Sequence, residues 1–202
     1  MSDITRDEQQ QTAEASAVVR ALLLALDAYL PGAAARGEHV SVLTVGTLER
    51  LGASDADLAI ARQAGALHDI GKLSVRREVL LKPAPLTAKE LTEVREHVRY
   101  GSALLERIPQ VAPCAPLVLR QYEHWVGTGF PDGLKEAEIP LGARALSVSL
   151  AFAAMTAARP WREALPEEEA LQHIREDSAR AFDPQVVEAF LAVQPLVQPV
   201  HL

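Results

Sequence analysis

Apolar residues recur at helical spacing along most of the chain. From Glu14 onwards, valine and leucine residues fall three and four positions apart until Pro31-Gly32 interrupts the run. No stretch alternates apolar and polar residues as a half-buried strand would, and no internal repeat is visible. The pattern therefore predicts an all-α fold in a single domain.

Capping residues divide the chain into further helices. Ser54 and Thr87 are predicted N-caps, because their hydroxyl oxygens can accept hydrogen bonds from the first helical turn. Asp183, directly before Pro184, is predicted to cap the last helix. The helix after Pro140 is almost entirely apolar and is predicted to be buried on most sides. The helices predicted in between span residues 35–51, 54–68, 88–96, 101–108, 115–122, 143–158 and 167–177.

The N-terminal residues differ in composition from the rest of the chain. Residues 1–13 are polar and are predicted to form a flexible lead-in, followed by one domain over residues 14–202. The 202 residues are 49% hydrophobic and 23% charged, which is ordinary for a globular protein with one substantial core.

Charge, cysteine content and hydropathy exclude several classes of function. The net charge of -7 argues against duplex nucleic acid as a partner, because such binding depends on Lys and Arg neutralising phosphates. Cys114 is the only cysteine, so no intrachain disulfide can form, as expected in the cytoplasm. The apolar run at residues 21–26 is too short to cross a bilayer, so no membrane association is expected.

One polar pair ends the apolar helix that begins after Ser54. His68 and Asp69 are adjacent, and imidazole and carboxylate groups both bind divalent metals. Gly71 is predicted to leave the helix with a positive φ, and the ammonium of Lys72 could neutralise a phosphate. The alternative interpretation is an ordinary capped helix end with solvated polar groups.

Several motifs occur in a fixed order around this pair. They lie at residues 67–72 (Leu-His-Asp-Ile-Gly-Lys), 81–83, 123–125, 127–134, 139–141, 159–162 and 182–184. Together with His39 and His97, they make the chain resemble the HD-GYP family from about Val18 to Val193. Members of that family are all-α, metal-dependent phosphodiesterases that open the bacterial messenger cyclic di-GMP.

The chain departs from the family pattern at positions that carry chemistry. By resemblance, His39, His68, Asp69 and His97 remain as metal ligands, whereas two histidines and one aspartate of a two-metal site are missing. The substituted positions are Gln121 and Tyr122 in place of adjacent histidines, Val126, Leu150 and Ala153 in place of aspartates, and Phe130 in place of a tyrosine.

The resemblance also implies ligand-binding and docking residues. Lys72 and Arg159 would hold phosphate or guanine, and Arg162 belongs to the same motif as Arg159. The loop with Gly129, Phe130 and Pro131 would dock a signalling protein such as a diguanylate cyclase. The alternative interpretation is that these cations are solvated and that the loop is only a tight turn.

Two functions remain open from the sequence. The first is a degenerate HD-GYP domain that binds cyclic di-GMP or a related dinucleotide, or docks a protein, without catalysis. The second is a weak phosphodiesterase with a single iron or manganese ion, in which Asp69 and Lys72 carry the catalysis. In the first case the chain needs no metal. His124 lies one helical turn from Gln121 and could replace a missing ligand in part.

Overall fold

The structure is a computed structural model that describes residues 2–158 and 163–193. Within these ranges it is built from helices, with two isolated bridges and no strand ladder, which confirms the predicted all-α fold. None of the described helices is long and apolar enough to cross a membrane. The α-helices are α1 Ser2–Tyr29, α2 Ala33–Arg50, α3 Asp55–Leu67, α4 Arg77–Leu80, α5 Ala88–Arg95, α6 His97–Leu105, α7 Ala115–Leu119, α8 Leu141–Thr156, α9 Glu167–Glu176 and α10 Pro184–Val193.

Helix α8 contributes to both clusters of the hydrophobic core. Leu146 and Leu150 belong to a core cluster shared with α1, α2, α3 and the α6–α7 region. Val148 and Phe152, on another side of α8, belong to a second cluster with α9 and α10. The same helix therefore contacts both parts of the core, as its nearly continuous apolar sequence predicts.

The predicted caps are present. Ser54 accepts a hydrogen bond from the Asp57 backbone N–H, and Thr87 forms a complete capping box with Glu90. Asp183 Oδ1 accepts from the Gln185 N–H at the start of α10, at 2.8 Å. Each cap satisfies backbone donors that the first helical turn leaves unpaired.

Other boundaries differ from the prediction. Helix α1 begins at Ser2, well before Glu14, so the division at residue 14 stays a prediction. Helix α6 begins at His97 rather than residue 101, and α7 ends at Leu119 rather than residue 122. The boundary at His97 matters for the site, because it places this side chain in the first turn of α6.

The positive φ predicted for Gly71 is wrong, and the glycine is needed for a different reason. Gly71 lies in the 3-10 turn Ile70–Ser74 and is not among the glycines with positive φ. A Cβ atom on it would lie 1.8 Å from the His97 carbonyl oxygen. The absence of a side chain thus allows the turn after Asp69 to contact the backbone of α6 directly.

Candidate functional site

The His-Asp pair is buried where α3 gives way to the 3-10 turn. His68 is 5% exposed and Asp69 is 4% exposed. His97 reaches the same region from the first turn of α6 and is 2% exposed. Polar groups this deeply buried require partners or a ligand.

Both imidazoles of this cluster have the same orientation relative to the backbone. His68 Nδ1 lies 2.8 Å from the Gly65 carbonyl oxygen, and His97 Nδ1 lies 2.6 Å from the Val94 carbonyl oxygen. Because a carbonyl only accepts, each Nδ1 carries a proton, and Nε2 is the ring nitrogen that holds the lone pair in the neutral form of the ring. His97 Nε2 has no hydrogen-bond partner. A backbone carbonyl that accepts from Nδ1 gives a metal-binding histidine this same orientation.

Asp69 is already paired with a cation from the chain. Its Oδ2 lies 2.7 Å from the Lys72 Nζ, and the same oxygen lies 3.4 Å from His68 Nε2. Burial alone would raise the pKa of Asp69, but His68 and Lys72 outweigh it and hold this pKa well below its usual range. The carboxylate is therefore ionised, while its Oδ1 is buried without a partner.

The pKa of His97 is also displaced. Burial lowers the pKa of His97 to about 4, although the Asp69 carboxylate acts in the opposite direction. The imidazole is thus neutral at pH 7, which leaves its Nε2 able to act as a lone-pair donor.

This displacement predicts how stability depends on pH. Between its unfolded pKa of 6.5 and about 4, His97 takes up a proton in the unfolded state but not in the folded state. The metal-free protein should therefore lose about 2 kcal/mol of unfolding free energy between pH 6.5 and pH 5. Urea unfolding with a chelator present measures this loss. In His97→Gln the loss should shrink; an unchanged pH dependence would contradict the assignment.

His39 has a different setting from the other predicted ligands. It lies on α2, and its Nδ1 is buried without a partner. Burial lowers the pKa of His39, and the nearby Glu167 carboxylate on α9 raises it. His39 is not among the residues lining the cavity described next. Its role as a metal ligand stays a prediction.

A cavity of about 700 Å³ opens beside His68 and Asp69, and we call it the HD cavity. One part of its lining is polar and the other is apolar. The polar lining consists of Arg36, His68, Asp69, Lys72, Tyr122, His124, Thr128, Ser147, Asp177 and Arg180, and the apolar lining of Val40, Val126, Leu150, Ala151, Ala153, Ala154, Ala181 and Phe182.

The substitutions seen in the sequence meet at this cavity. Val126, Leu150 and Ala153 all belong to its apolar lining. Tyr122 also lines it and stacks on Phe130, with ring centroids 5.1 Å apart. Gln121 is fully buried, and its Nε2 donates to the His68 carbonyl oxygen at 3.0 Å. Hydrocarbon and neutral groups therefore stand where the resemblance implies metal-binding side chains.

The predicted ligands provide some of the donor atoms that a single metal ion needs, and too few for two ions. His68 Nε2, His97 Nε2 and Asp69 Oδ1 are the atoms suited to a single ion. Among the described residues, however, no group of three or more His, Cys, Asp or Glu side chains is assembled to hold an ion. The Lys72 ammonium already neutralises Asp69, and Leu150 supplies no carboxylate for a second ion.

The loop of residues 127–133 is held by a buried glutamate. Glu123 Oε1 accepts from the backbone N–H groups of Asp132 and Gly133, at 2.7 and 3.1 Å. The predicted docking residues Gly129, Phe130 and Pro131 lie within this loop. Arg95 stands over the Phe130 ring at 5.2 Å, and Gly129 packs so closely that a Cβ would meet the His124 N–H nitrogen at 2.3 Å. The docking role stays a prediction.

A family model described as HD domain matches residues 9–186. The chain belongs to the HD domain family. One relative of this HD domain is a cyclic di-GMP phosphodiesterase of Thermotoga maritima, 36% identical over 81% of this chain and 45% of the relative. Another is the cyclic di-GMP phosphodiesterase response regulator RpfG of Xanthomonas campestris, 39% identical over 77% of this chain and 41% of the relative.

A solved structure supports the same placement. The cyclic GMP-AMP specific phosphodiesterase V-cGAP3 of Vibrio cholerae aligns with a TM-score of 0.59 and 32% identity, over 92% of this chain and 42% of that one. The predicted resemblance to the HD-GYP family is thereby confirmed. This HD domain spans less than half the length of these relatives.

The ligand-binding residues predicted from the sequence and the described lining of the HD cavity overlap only in part. Arg159 and Arg162, the predicted dinucleotide-binding arginines, lie outside the described residues. Arg36, Asp177 and Arg180 line the HD cavity but were not singled out from the sequence. Arg36 lies one turn before His39 on α2, and this helical spacing places both side chains on the same face. Nothing in the sequence indicates that the turn after α9 reaches the cavity.

Glu123 gives a prediction about the loop. Glu123→Gln keeps an oxygen acceptor but loses the charge that strengthens both hydrogen bonds. We expect a loss of about 2 kcal/mol of unfolding free energy and faster amide exchange at Asp132 and Gly133. Hydrogen exchange followed by NMR measures the second effect. Glu136→Gln, at an exposed position of the next turn, is the control and should change neither; equal changes in both variants would contradict the role of Glu123.

Proposed function

We propose that this HD domain is a regulatory module that binds a cyclic dinucleotide and does not hydrolyse it through a two-metal centre. The observation that carries the proposal is the ion pair between Asp69 and Lys72, at 2.7 Å. Two divalent ions need several anionic ligands to offset their charge, and they act by stabilising both the attacking and the leaving oxygen. Asp69 is the one anion in the predicted ligand set, and Lys72 already neutralises it.

Binding is supported by the shape and charge of the HD cavity. Its volume of about 700 Å³ falls within the range of sites that bury a small ligand. Lys72 and Arg36 supply positive charge for phosphates, and the side chains of α8 supply an apolar surface for a base. The names of the relatives, which act on cyclic di-GMP or cyclic GMP-AMP, support this class of ligand.

A second candidate function is hydrolysis with one divalent iron or manganese ion. It is favoured by the two histidines whose Nδ1 atoms are fixed by carbonyls and by the unpaired Oδ1 of Asp69. Such an ion would act as a Lewis acid on a phosphate oxygen. In this alternative, Asp69 would hold the ion through its Oδ1, and Lys72 would contact the phosphate.

The proposal extends to a protein partner through the loop of residues 127–133. Glu123, Arg95 and Arg99 hold this loop against the domain, and Arg99 donates to the Pro131 carbonyl oxygen at 3.1 Å. A fixed loop offers a preformed surface to a signalling protein such as a diguanylate cyclase. Occupancy of the neighbouring HD cavity would then be sensed by that partner.

Calorimetric titration with cyclic di-GMP, once with EDTA and once with manganese, tests the main proposal. We expect binding of similar affinity in both, and no linear dinucleotide by chromatography after prolonged incubation. Lys72→Ala should weaken binding at least tenfold, because a charge-assisted contact to phosphate is lost. Lys89→Ala, an exposed lysine on α5, is the matched control and should bind normally.

Other outcomes separate the two candidates. Binding or hydrolysis that appears only with metal, together with about one metal ion per chain by elemental analysis, would favour the single-metal phosphodiesterase. Failure to bind any cyclic dinucleotide under either condition would overturn both.

A further inference from the structure

The turn that joins α9 to α10 brings an acid and a base to the HD cavity. Asp177 directly follows α9, and both Asp177 and Arg180 line the cavity. This turn is fixed to the chain segment after Glu123, because Val126 N–H donates to the Arg180 carbonyl at 3.1 Å and Trp125 N–H to the Ala181 carbonyl at 3.0 Å. The two side chains therefore start from a defined backbone position.

The two side chains are available to a ligand. Arg180 Nη1 and Asp177 Oδ1 are 3.7 Å apart, with side chains 77% and 46% exposed. An exposed ion pair of this kind contributes little to stability because water competes with it. A ligand that offers a hydrogen-bonding partner to each side chain can therefore replace their mutual contact at small cost.

The apolar part of the cavity lining suits a planar ring. Ala153, Ala154 and Leu150 of α8 line the cavity together with Phe182, which follows the turn. Small residues leave room for a flat ring to lie against a helix, and burial of its faces is favourable. The ring edge would then reach the turn at Asp177 and Arg180.

Guanine matches this pair of side chains, and adenine does not. Guanine carries two N–H donors, N1 and N2, for a carboxylate, and two acceptors, O6 and N7, for a guanidinium. Adenine has an acceptor at N1 and a donor at the exocyclic position, so a carboxylate placed at its N1 would be repelled. A positive and a negative group side by side therefore distinguish the two purines.

We infer that Asp177 and Arg180 form a guanine-selecting subsite at the edge of the HD cavity. The inference rests on the proposed function, since it concerns a base of the bound dinucleotide. A single subsite needs only one guanine in the ligand. Cyclic di-GMP and 3'3'-cyclic GMP-AMP should then bind alike, within about the twofold statistical factor of two equivalent bases. Cyclic di-AMP should bind about 5- to 100-fold more weakly.

Calorimetric titrations with these three dinucleotides, at one salt concentration and with EDTA, test the subsite. Asp177→Asn should weaken the two guanine-containing ligands by about 5-fold or more and leave cyclic di-AMP unchanged. Arg180→Gln should act in the same direction. Glu176→Gln removes a neighbouring exposed carboxylate that does not line the cavity and should change nothing.

The outcomes distinguish this inference from the proposed function. Equal affinity of the unmodified protein for all three dinucleotides, or equal effects of Asp177→Asn and Arg180→Gln on all three, would overturn the subsite but leave dinucleotide binding intact. No binding of any dinucleotide by the unmodified protein would overturn both. Circular dichroism of each variant confirms that it is folded, as expected for substitutions at exposed positions.

Discussion

Gly71→Ala is expected to lower the unfolding free energy by about 3 kcal/mol and to separate the parts of the candidate site. The added Cβ would lie 1.8 Å from the His97 carbonyl oxygen and 2.7 Å from the Gly101 backbone nitrogen. Both are backbone atoms, so no side-chain rotation can relieve the overlap. The 3-10 turn that carries Lys72 must therefore move away from α6.

The movement should be visible at the site as well as in stability. Asp69 directly precedes the displaced turn, Lys72 lies within it, and the added Cβ would overlap with the carbonyl oxygen of His97. We expect the midpoint of unfolding to fall to a lower urea concentration, the NMR signal of the His97 ring to change, and the affinity for the dinucleotide to decrease. The three effects should appear together, because one contact positions all three side chains.

Gly101→Ala is the matched control on the other side of the same contact. Its Cβ would lie 3.2 Å from the Gly71 nitrogen, a tight approach that a backbone shift of a few tenths of an ångström would relieve. Alanine is also favoured over glycine inside a helix by roughly 1 kcal/mol, which offsets part of the crowding. We expect a net change below about 1 kcal/mol. Similar losses in both variants would contradict the role assigned to Gly71.

Local signals explain why most of the fold could be predicted from the sequence. Thr87 and Glu90 stand three residues apart and form the capping box that their spacing predicts. The start of α1 could not be found from apolar periodicity, because residues 2–13 are polar. They extend a helix through residues such as Gln and Glu, whose intrinsic helix propensity is good.

Long-range contacts explain what the sequence left out. A glycine beside a helix end, such as Gly71, predicts a positive φ. In the structure, glycine is needed there because the carbonyl of His97, far along the chain, leaves no room for a side chain. His68, Asp69 and His97 can be recognised in the sequence as residues of metal-binding types. That Asp177 and Arg180 line the same cavity depends on how α9 and α10 pack, which no local pattern encodes.

Restoring the missing ligands should convert this HD domain into a metal-binding hydrolase. The variant combines Gln121→His, Tyr122→His and Leu150→Asp, the positions at which the resemblance implies metal ligands, with Val126→Asp, which restores the aspartate of the loop. Val126, Leu150 and Tyr122 all line the HD cavity, so the new side chains would converge there. Residues that only orient metal ligands already change metal affinity or activity by about 10- to 100-fold. For the ligands themselves, we expect hydrolysis of cyclic di-GMP to rise at least ~100-fold.

Metal content is the first measurement on this variant. We expect about two ions per chain by elemental analysis, because the added carboxylates supply the negative charge that two divalent ions require. Without metal, Leu150→Asp places a second carboxylate near buried Asp69, and the repulsion should lower the unfolding temperature. Added manganese should restore that temperature, which gives a readout independent of hydrolysis.

Leu150→Asn is the control that separates charge from shape. Asparagine has nearly the volume of aspartate but supplies no negative charge, so manganese should not stabilise the control variant, and hydrolysis should stay at the level of the unmodified chain. If the full variant is folded and still binds no metal, then the residues at the substituted positions do not explain why the unmodified chain lacks a two-metal site. The ion pair of Lys72 with Asp69 would then be the obstacle, since Lys72 keeps the carboxylate neutralised, and Lys72→Met in the same background should admit the ions.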